Sequence, residues 1–297
     1  MFMSKEVTKY KNEVNTIPMR EWTVEEMNFF FAILTQLRDE GTRKLTLDKH
    51  ELAQLANYSI EHNQRYEATM KNLGEKISKL TYWEKTDNSY TIMPLFTFFR
   101  ATWNDDLTEL MVKVSVNEEF EYILNQWELG QWTTFELKEF TEINSTYSKT
   151  LFRLLKQWRK KGKREFSVDE FRNLLSVPDS YKNSHINERI IKNAKIDLSP
   201  YFDNLKIKIV KSNARGNPVI GYVFTFKPEK TKGKYVPNKF DKYNKKSSGP
   251  SLPNWAKDTS SNDNSDDESV SNSKKFGPDK DMSYSEWQSY LKEIQKK

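Results

Sequence analysis

The chain lays down one order of elements twice, and that repetition leaves few folds open to it. In the first pass a capping box, Thr23-Val-Glu-Glu26, follows Trp22 and opens a helix with Met27, Phe30, Phe31, Leu34 and Leu37 at helical spacing. The helix is expected to stop near Gly41. After Lys44-Leu-Thr-Leu the pattern predicts a short helix from Asp48 to Asn57, then a longer one carrying Tyr66, Met70, Leu73, Ile77 and Leu80. Tyr82 to Lys85 and Tyr90 to Met93 flank Thr86-Asp-Asn-Ser89 as a hairpin, and Leu95 to Trp103 and Leu110 to Val116 read as further strands. An extended or irregular arm precedes all of this.

The second pass shares almost no identity with the first but keeps its order. A capping box at Thr133-Thr-Phe-Glu136 predicts a leading helix, and a second helix spans Tyr147 to Lys163. Ser167-Val-Asp-Glu170 starts a short helix from Asp169 to Leu175, and the Pro178-Asp-Ser turn leads into a helix from about Ser184 to Leu198, closed by Ser199-Pro200. Leu205 to Lys211 and Pro218 to Phe226 flank a turn that holds Gly216. Helix, short helix, long helix and hairpin is the order of a winged helix, the helix-turn-helix variant whose hairpin is the wing. The expectation is an α+β, predominantly helical chain of two tandem winged helices, residues 1–131 and 132–230, followed by a disordered tail, 231–297.

Charge separates the two units. Residues 1–132 carry 15 Lys and Arg against 21 Asp and Glu, a balance of −6, whereas residues 133–230 carry 20 against 11, a balance of +9. Within the second unit, Leu151, Leu154, Leu155 and Trp158 share one helical face, and Lys149, Arg153, Lys156 and Lys160 line up opposite. A charged helix face is commonly just solvated. Here the charges are of one sign, no Glu stands at i−4 to pair them, and Arg159, Lys161, Lys163 and Arg164 continue the run, so a polyanion is the expected partner.

Several chemistries find no residues. The chain has no cysteine, hence no disulfide, thiolate metal site or cysteine nucleophile. It has no Gly-x-x-x-x-Gly-Lys-Ser/Thr loop to cradle nucleotide phosphates, and its three histidines, His50, His62 and His185, are too scattered to ligate a metal. No catalytic constellation, metal site or cofactor is expected. No run of 18 apolar residues and no signal-peptide core occurs, so the expected location is the cytoplasm, with no membrane contact.

With these residues in view, the second unit resembles the C-terminal winged helix of the iteron-binding plasmid replication initiators, the Rep family with tandem winged-helix domains. The resemblance is carried by YSKTLFRLLKQWRKKGKREFSVDEFRNLLSVPDSY, INERIIKNA and YVFTFK, and in the first unit by FFFAILTQLRDEGTRKLTLDKHELAQLANYS and VSVNEEFEYILN. It covers about Asn12 to Lys227; LSPYF at 198–202 departs from the Glu-Ile-Asn type of ending that many relatives carry. The resemblance implies a protein that binds short direct repeats (iterons) in duplex DNA at a plasmid origin, opens the adjacent AT-rich DNA with the host initiator, and recruits the host replicative helicase. It also implies repression of its own promoter by homodimers joined through the N-terminal domain, in equilibrium with monomers that act at the origin.

On the long helix of the second unit, His185, Asn187, Glu188, Arg189, Lys192, Asn193 and Lys195 fall outside the apolar face. The N-terminal part, His185 to Arg189, is placed to read base edges, and Lys192 and Lys195 to hold phosphates. Lys211 and Arg215 put two cations on the wing, and the ridge Lys149, Arg153, Lys156 and Lys160 is expected to track phosphates. In the first unit, Asn63, Gln64, Arg65 and Lys71, with Asn72, mark the analogous helix as a secondary reader. A dedicated transcriptional repressor on the same fold is the alternative, with a rolling-circle nicking enzyme a distant third. In the tail, the acidic stretch 258–273 reads as a disordered spacer before a short amphipathic helix bearing Tyr284, Trp287, Leu291 and Ile294.

Overall fold

The computed structural model describes residues 6–229 except 18, 20, 62, 86, 87, 89 and 126–131. The spacer and terminal helix expected in the tail lie outside the described residues, as does most of the expected turn 86–89. Two winged helices are present, and their shared design is visible atom by atom. In the first unit, α1 (Val24–Leu37) leads to β2 (Leu45–Asp48), α2 (Lys49–Leu55) and α3 (Asn63–Ser78). In the second, α6 (Thr146–Gln157) leads to β8 (Lys163–Ser167), α7 (Val168–Leu174) and a continuous helix over 183–198. Each short strand ends on the residue that caps the next helix: Asp48 accepts from the Glu51 amide at 2.8 Å, and Ser167 from the Glu170 amide at 3.1 Å.

The turn between the two helices is also the same in both units. Asn57 and Ser176 each take φ 51°, and the pairs Asn57 N to Gln54 O and Tyr58 N to Ala53 O recur as Ser176 N to Asn173 O and Val177 N to Arg172 O. These are the paired bonds of a Schellman motif, which satisfies the last carbonyls of the short helix while turning the chain.

Each unit closes with a three-stranded antiparallel sheet, β2-β6-β5 in the first and β8-β10-β9 in the second. Here β5 is Phe96–Trp103, β6 Leu110–Val116, β9 Lys206–Lys211 and β10 Val219–Thr225. The matching topology makes β5 and β6 the first unit's wing. The hairpin expected to be that wing, β3 (Thr81–Lys85) with β4 (Tyr90–Pro94), forms a separate two-stranded sheet inserted before it. Ten strands in four sheets among the described residues give sheet a larger share than "predominantly helical" suggests.

The boundary expected at residue 131 is crossed by hydrogen bonds. The N-terminal arm is β1 (Val7–Lys11), and it pairs antiparallel with β7 (Trp132–Glu136), Thr8 facing Phe135. Thr133 to Glu136 is therefore strand and not a capping box. The Thr133 hydroxyl bonds the side chains of Asn12 and Asn15, at 2.9 and 2.8 Å, instead of capping a helix. The first unit ends in the short helix α4 (Glu121–Asn125), and the leading helix of the second, α5 (Leu137–Thr141), begins only after Glu136. Aromatic side chains then run unbroken between the units: Phe31 meets Phe140 at 4.7 Å, Phe135 meets Phe152 at 5.2 Å, and Phe152 meets Phe202 at 5.8 Å. Among the described residues no helix is long and apolar enough to cross a membrane.

Candidate nucleic-acid interface

The helix at 183–198 consists of α8 (Asn183–Ile186), a π-helical turn (Asn187–Ile191) and α9 (Lys192–Leu198). Its inward row is Ile186, Ile190, Ala194 and Leu198, all at 0% exposure, joined by Ile191. A four-residue spacing drifts by about 40° per step on a regular α-helix, and the wider π turn takes up part of that drift. The inward row therefore stays on the core for three turns, and the opposite row stays in solvent.

On the outer side Glu188, Arg189, Lys192, Asn193 and Lys195 are exposed, and His185 and Asn187 are half-buried. Arg189 is held: its Nη1 donates to the Tyr181 hydroxyl at 3.2 Å, and its guanidinium lies 5.3 Å from the centre of that ring. Sequence reasoning passed over Tyr181, because an aromatic in a turn before a helix has no periodicity to mark it. The His185 Nδ1 accepts from the Lys182 amide at 3.3 Å, so this imidazole caps the helix start. Asn193 spends a donor on the Arg189 carbonyl at 2.9 Å, and Lys192 lies 3.9 Å from Glu188. The Asn187 Oδ1 is buried without a hydrogen-bond partner, which turns part of its amide away from the outer face.

The wing of the second unit exposes the two expected cations. Lys211 and Arg215 are exposed on the β9–β10 connection, which the Ser212 amide closes onto the Pro218 carbonyl at 2.8 Å. Gly216, at φ 86°, takes the conformation that the tip requires.

The basic ridge is where structure and expectation part. Lys149 and Arg153 are 0% exposed and Lys156 is 5% exposed. Lys160 is exposed, but it lies beyond the end of α6, in the turn before β8. The reason is that α6 is covered on both faces. Leu151, Leu154 and Leu155 enter the core, and the opposite face is roofed by α1, β1 and the segment after β10. Lys149 Nζ donates to Asn28 Oδ1 at 2.6 Å and to the Phe140 carbonyl, with the Phe140 ring centre 4.1 Å away. Arg153 Nη1 reaches the Val14 carbonyl at 3.5 Å, and the guanidinium lies 5.0 Å from the centre of the Phe31 ring. Lys156 pairs with Glu229 at 2.8 Å and Glu139 at 3.1 Å. Lys149 and Arg153 join the two units, Lys156 ties α6 to α5 and to the segment after β10, and none of the three can track phosphates in this arrangement. Burial holds the Lys149 ammonium down, to a pKa of about 7, against the raising effect of the Glu25 charge.

In the first unit, Gln64, Arg65 and Lys71 are exposed on α3 and Asn63 is half-buried. Arg65 pairs with Glu25 at 2.7 Å and Lys71 with Glu67 at 2.6 Å, so acids neutralise this helix locally. Asn63 Oδ1 accepts from the buried Lys49 Nζ at 2.6 Å; Lys49 also donates to the Leu107 carbonyl at 2.9 Å and so ties the wing to the start of α3. Among the described residues no group of His, Cys, Asp or Glu is arranged to hold a metal ion.

The chain matches the family model described as Initiator Replication protein, WH1, over residues 7–156, and that described as Initiator Rep protein, WH2, over residues 167–226. The first range takes in β7, α5 and α6, the elements that bridge the two units. Over 236 residues the chain is 30% identical to the probable replication protein rep of Bifidobacterium longum (strain NCC 2705), covering 76% of this chain and 74% of that one. It is similar in fold to the Pi initiator protein, solved in complex with iteron DNA. The TM-score is 0.56 at 14% identity, over 77% of this chain and all of the other. Two winged helices joined through one shared core, with both family models matched in order, show that the chain belongs to the initiator replication protein family.

Proposed function

We propose that this protein initiates plasmid replication by binding short direct repeats in the origin duplex. The second unit supplies the main reading surface, and the first a secondary contact together with the dimer interface. The single observation that carries this reading is the outer face of helix 183–198. It exposes Glu188, Arg189 and Lys192, in the unit whose β9–β10 hairpin exposes Lys211 and Arg215 and whose charge balance is +9. Arg189, fixed by Tyr181, is the base-reading residue, since a guanidinium suits guanine O6 and N7. Lys192, Lys195, Lys160 and the wing cations hold phosphates and set register.

Opening of the neighbouring AT-rich DNA with the host initiator, recruitment of the host helicase and repression of the protein's own promoter belong to the same proposal. So does exchange between a dimer and an origin-binding monomer. In it the protein itself breaks no covalent bond, and the cell's cytoplasm is its site of action.

Footprinting of the purified protein on the DNA that flanks its gene tests the reading. Protection of tandem direct repeats beside an AT-rich tract is expected, and a lone inverted repeat at the promoter would favour a dedicated repressor instead. Arg189→Ala should weaken repeat binding by about 1 to 3 kcal/mol and relax specificity. Equal losses on repeat and random DNA would place Arg189 among the phosphate contacts.

A further inference from the structure

Ile196 is 73% exposed, more than any other large apolar side chain among the described residues. It stands on the same helix as Arg189, two turns further along. The inward row Ile190, Ala194 and Leu198 has a counterpart displaced by two residues, Glu188, Lys192 and Ile196, which lies across the helix from the core. Its exposed helix neighbours are Lys192, Asn193 and Lys195 on one side and Ser199 and Pro200 on the other, while the Asp197 carboxylate accepts from the Ser148 hydroxyl at 2.6 Å.

The fold gains nothing from this residue. Isoleucine is β-branched and forms helix less readily than Ala, Leu, Lys or Arg, and at this exposure it buries little apolar surface. An apolar side chain set among cations does not match a protein-binding patch, whose centre is apolar and depleted in charge. It does match the floor of the major groove, where the apolar group on offer is the 5-methyl of thymine, flanked by phosphates that Lys192 and Lys195 can reach.

We propose that Ile196 is a specificity-determining residue that packs on a thymine 5-methyl group, so that the helix reads bases over more than its first two turns. Two turns of helix advance about 11 Å, close to three base-pair steps. Ile196 therefore reads a position about three base pairs from the one read by Arg189. The inference rests on helix 183–198 being the DNA-reading element.

The test uses the full chain and a duplex carrying one direct repeat located by footprinting. In a set of such duplexes each thymine in turn is replaced by deoxyuridine, which removes the methyl group and leaves every hydrogen-bonding group in place. The native protein should lose affinity about threefold to fivefold at one or two neighbouring positions. Ile196→Ala should show a similar loss on the unmodified repeat and become indifferent to deoxyuridine at those positions. Because the side chain is exposed and alanine favours helix, the variant keeps its fold. If no thymine matters to the native protein, or if the penalties persist unchanged in Ile196→Ala, the assignment is overturned. A native protein that binds the repeat no better than random duplex would instead remove the DNA-reading role of the helix, and the role of Ile196 with it.

Discussion

Lys149 shows what a single buried cation costs and what it holds together. Its ammonium is satisfied by neutral acceptors, Asn28 from the first unit and the Phe140 carbonyl, and among the described residues no carboxylate bridges it. Burial depresses its pKa to about 7, whereas in the unfolded chain the group titrates near 10.5. Between those values the unfolded state binds more protons, so stability from this group rises as pH rises from about 7 toward 10.5 and is flat below 7. Lys149→Met removes that dependence. The stability difference between variant and native, read by chemical denaturation across pH 7 to 9, should therefore shift steadily in favour of the native protein. DNA affinity of Lys149→Met should stay within about twofold of native, since the residue presents no charge to solvent. A large loss on all DNA would restore the phosphate-tracking role that the sequence suggests.

At the scale of elements, the basic run after α6 does not continue the helix. It folds into a turn that ends at Gly162, φ 67°, before β8 begins. The Gly162 amide bonds the Trp158 carbonyl, and its own carbonyl accepts from the Phe226 amide at 2.8 Å. A Cβ on this residue would sit 2.4 Å from the Phe226 carbonyl oxygen. Both the backbone conformation and the close approach require glycine here. Gly162→Ala should cost about 2 kcal/mol or more, visible as a lowered denaturation midpoint, and it should loosen the pairing of β8 with β10. An unchanged midpoint would mean that the turn tolerates a Cβ and that the approach of the Phe226 carbonyl is not fixed. The π turn at Asn187–Ile191 is a second local device: it helps keep Glu188, Lys192 and Ile196 in one row, the row that the proposed function turns toward DNA.

For the whole molecule, the two winged helices share a core in place of a linker. The arm β1 pairs with β7, α6 is covered by both units, and the aromatic contacts run from Phe31 through Phe140 and Phe135 to Phe152 and Phe202. Elements joined this way should open together. In native-state hydrogen exchange the slowest amides of α1, β7 and α6 are expected to show one common opening free energy and one denaturant dependence. Independent exchange of α6 and α1 would mean that the units are separate folding bodies. The asymmetry of charge, −6 against +9, then belongs to one coupled body; in the proposed function the basic unit meets the duplex and the acidic unit limits non-specific attraction.

Local patterns determined the elements. The capping residues Thr23 and Ser167, the apolar rows of α1, α3 and helix 183–198, and the strands that close each sheet follow from spacing and capping chemistry within a few residues of sequence. The order of those elements pointed to two winged helices, and the initiator family came from the resemblance carried by stretches such as INERIIKNA and YVFTFK. Placement of the candidate DNA contacts Glu188, Arg189 and Lys192 on an outer face was legible for the same reason, because the inward row of that helix is purely aliphatic. What needed the tertiary structure was which of two plausible faces meets water. On α6 both stripes are buried, because a strand more than 120 residues earlier in the chain returns to pair with β7 and helps roof the cationic side. Helical periodicity reports which side chains share a face but not what covers it, and a row of lysines and arginines looks the same in sequence whether it faces phosphates or backbone carbonyls. The capping box at Thr133 failed for a related reason: the same hydroxyl that can cap a helix can bond Asn12 and Asn15 across a strand pair, and long-range pairing decided between them.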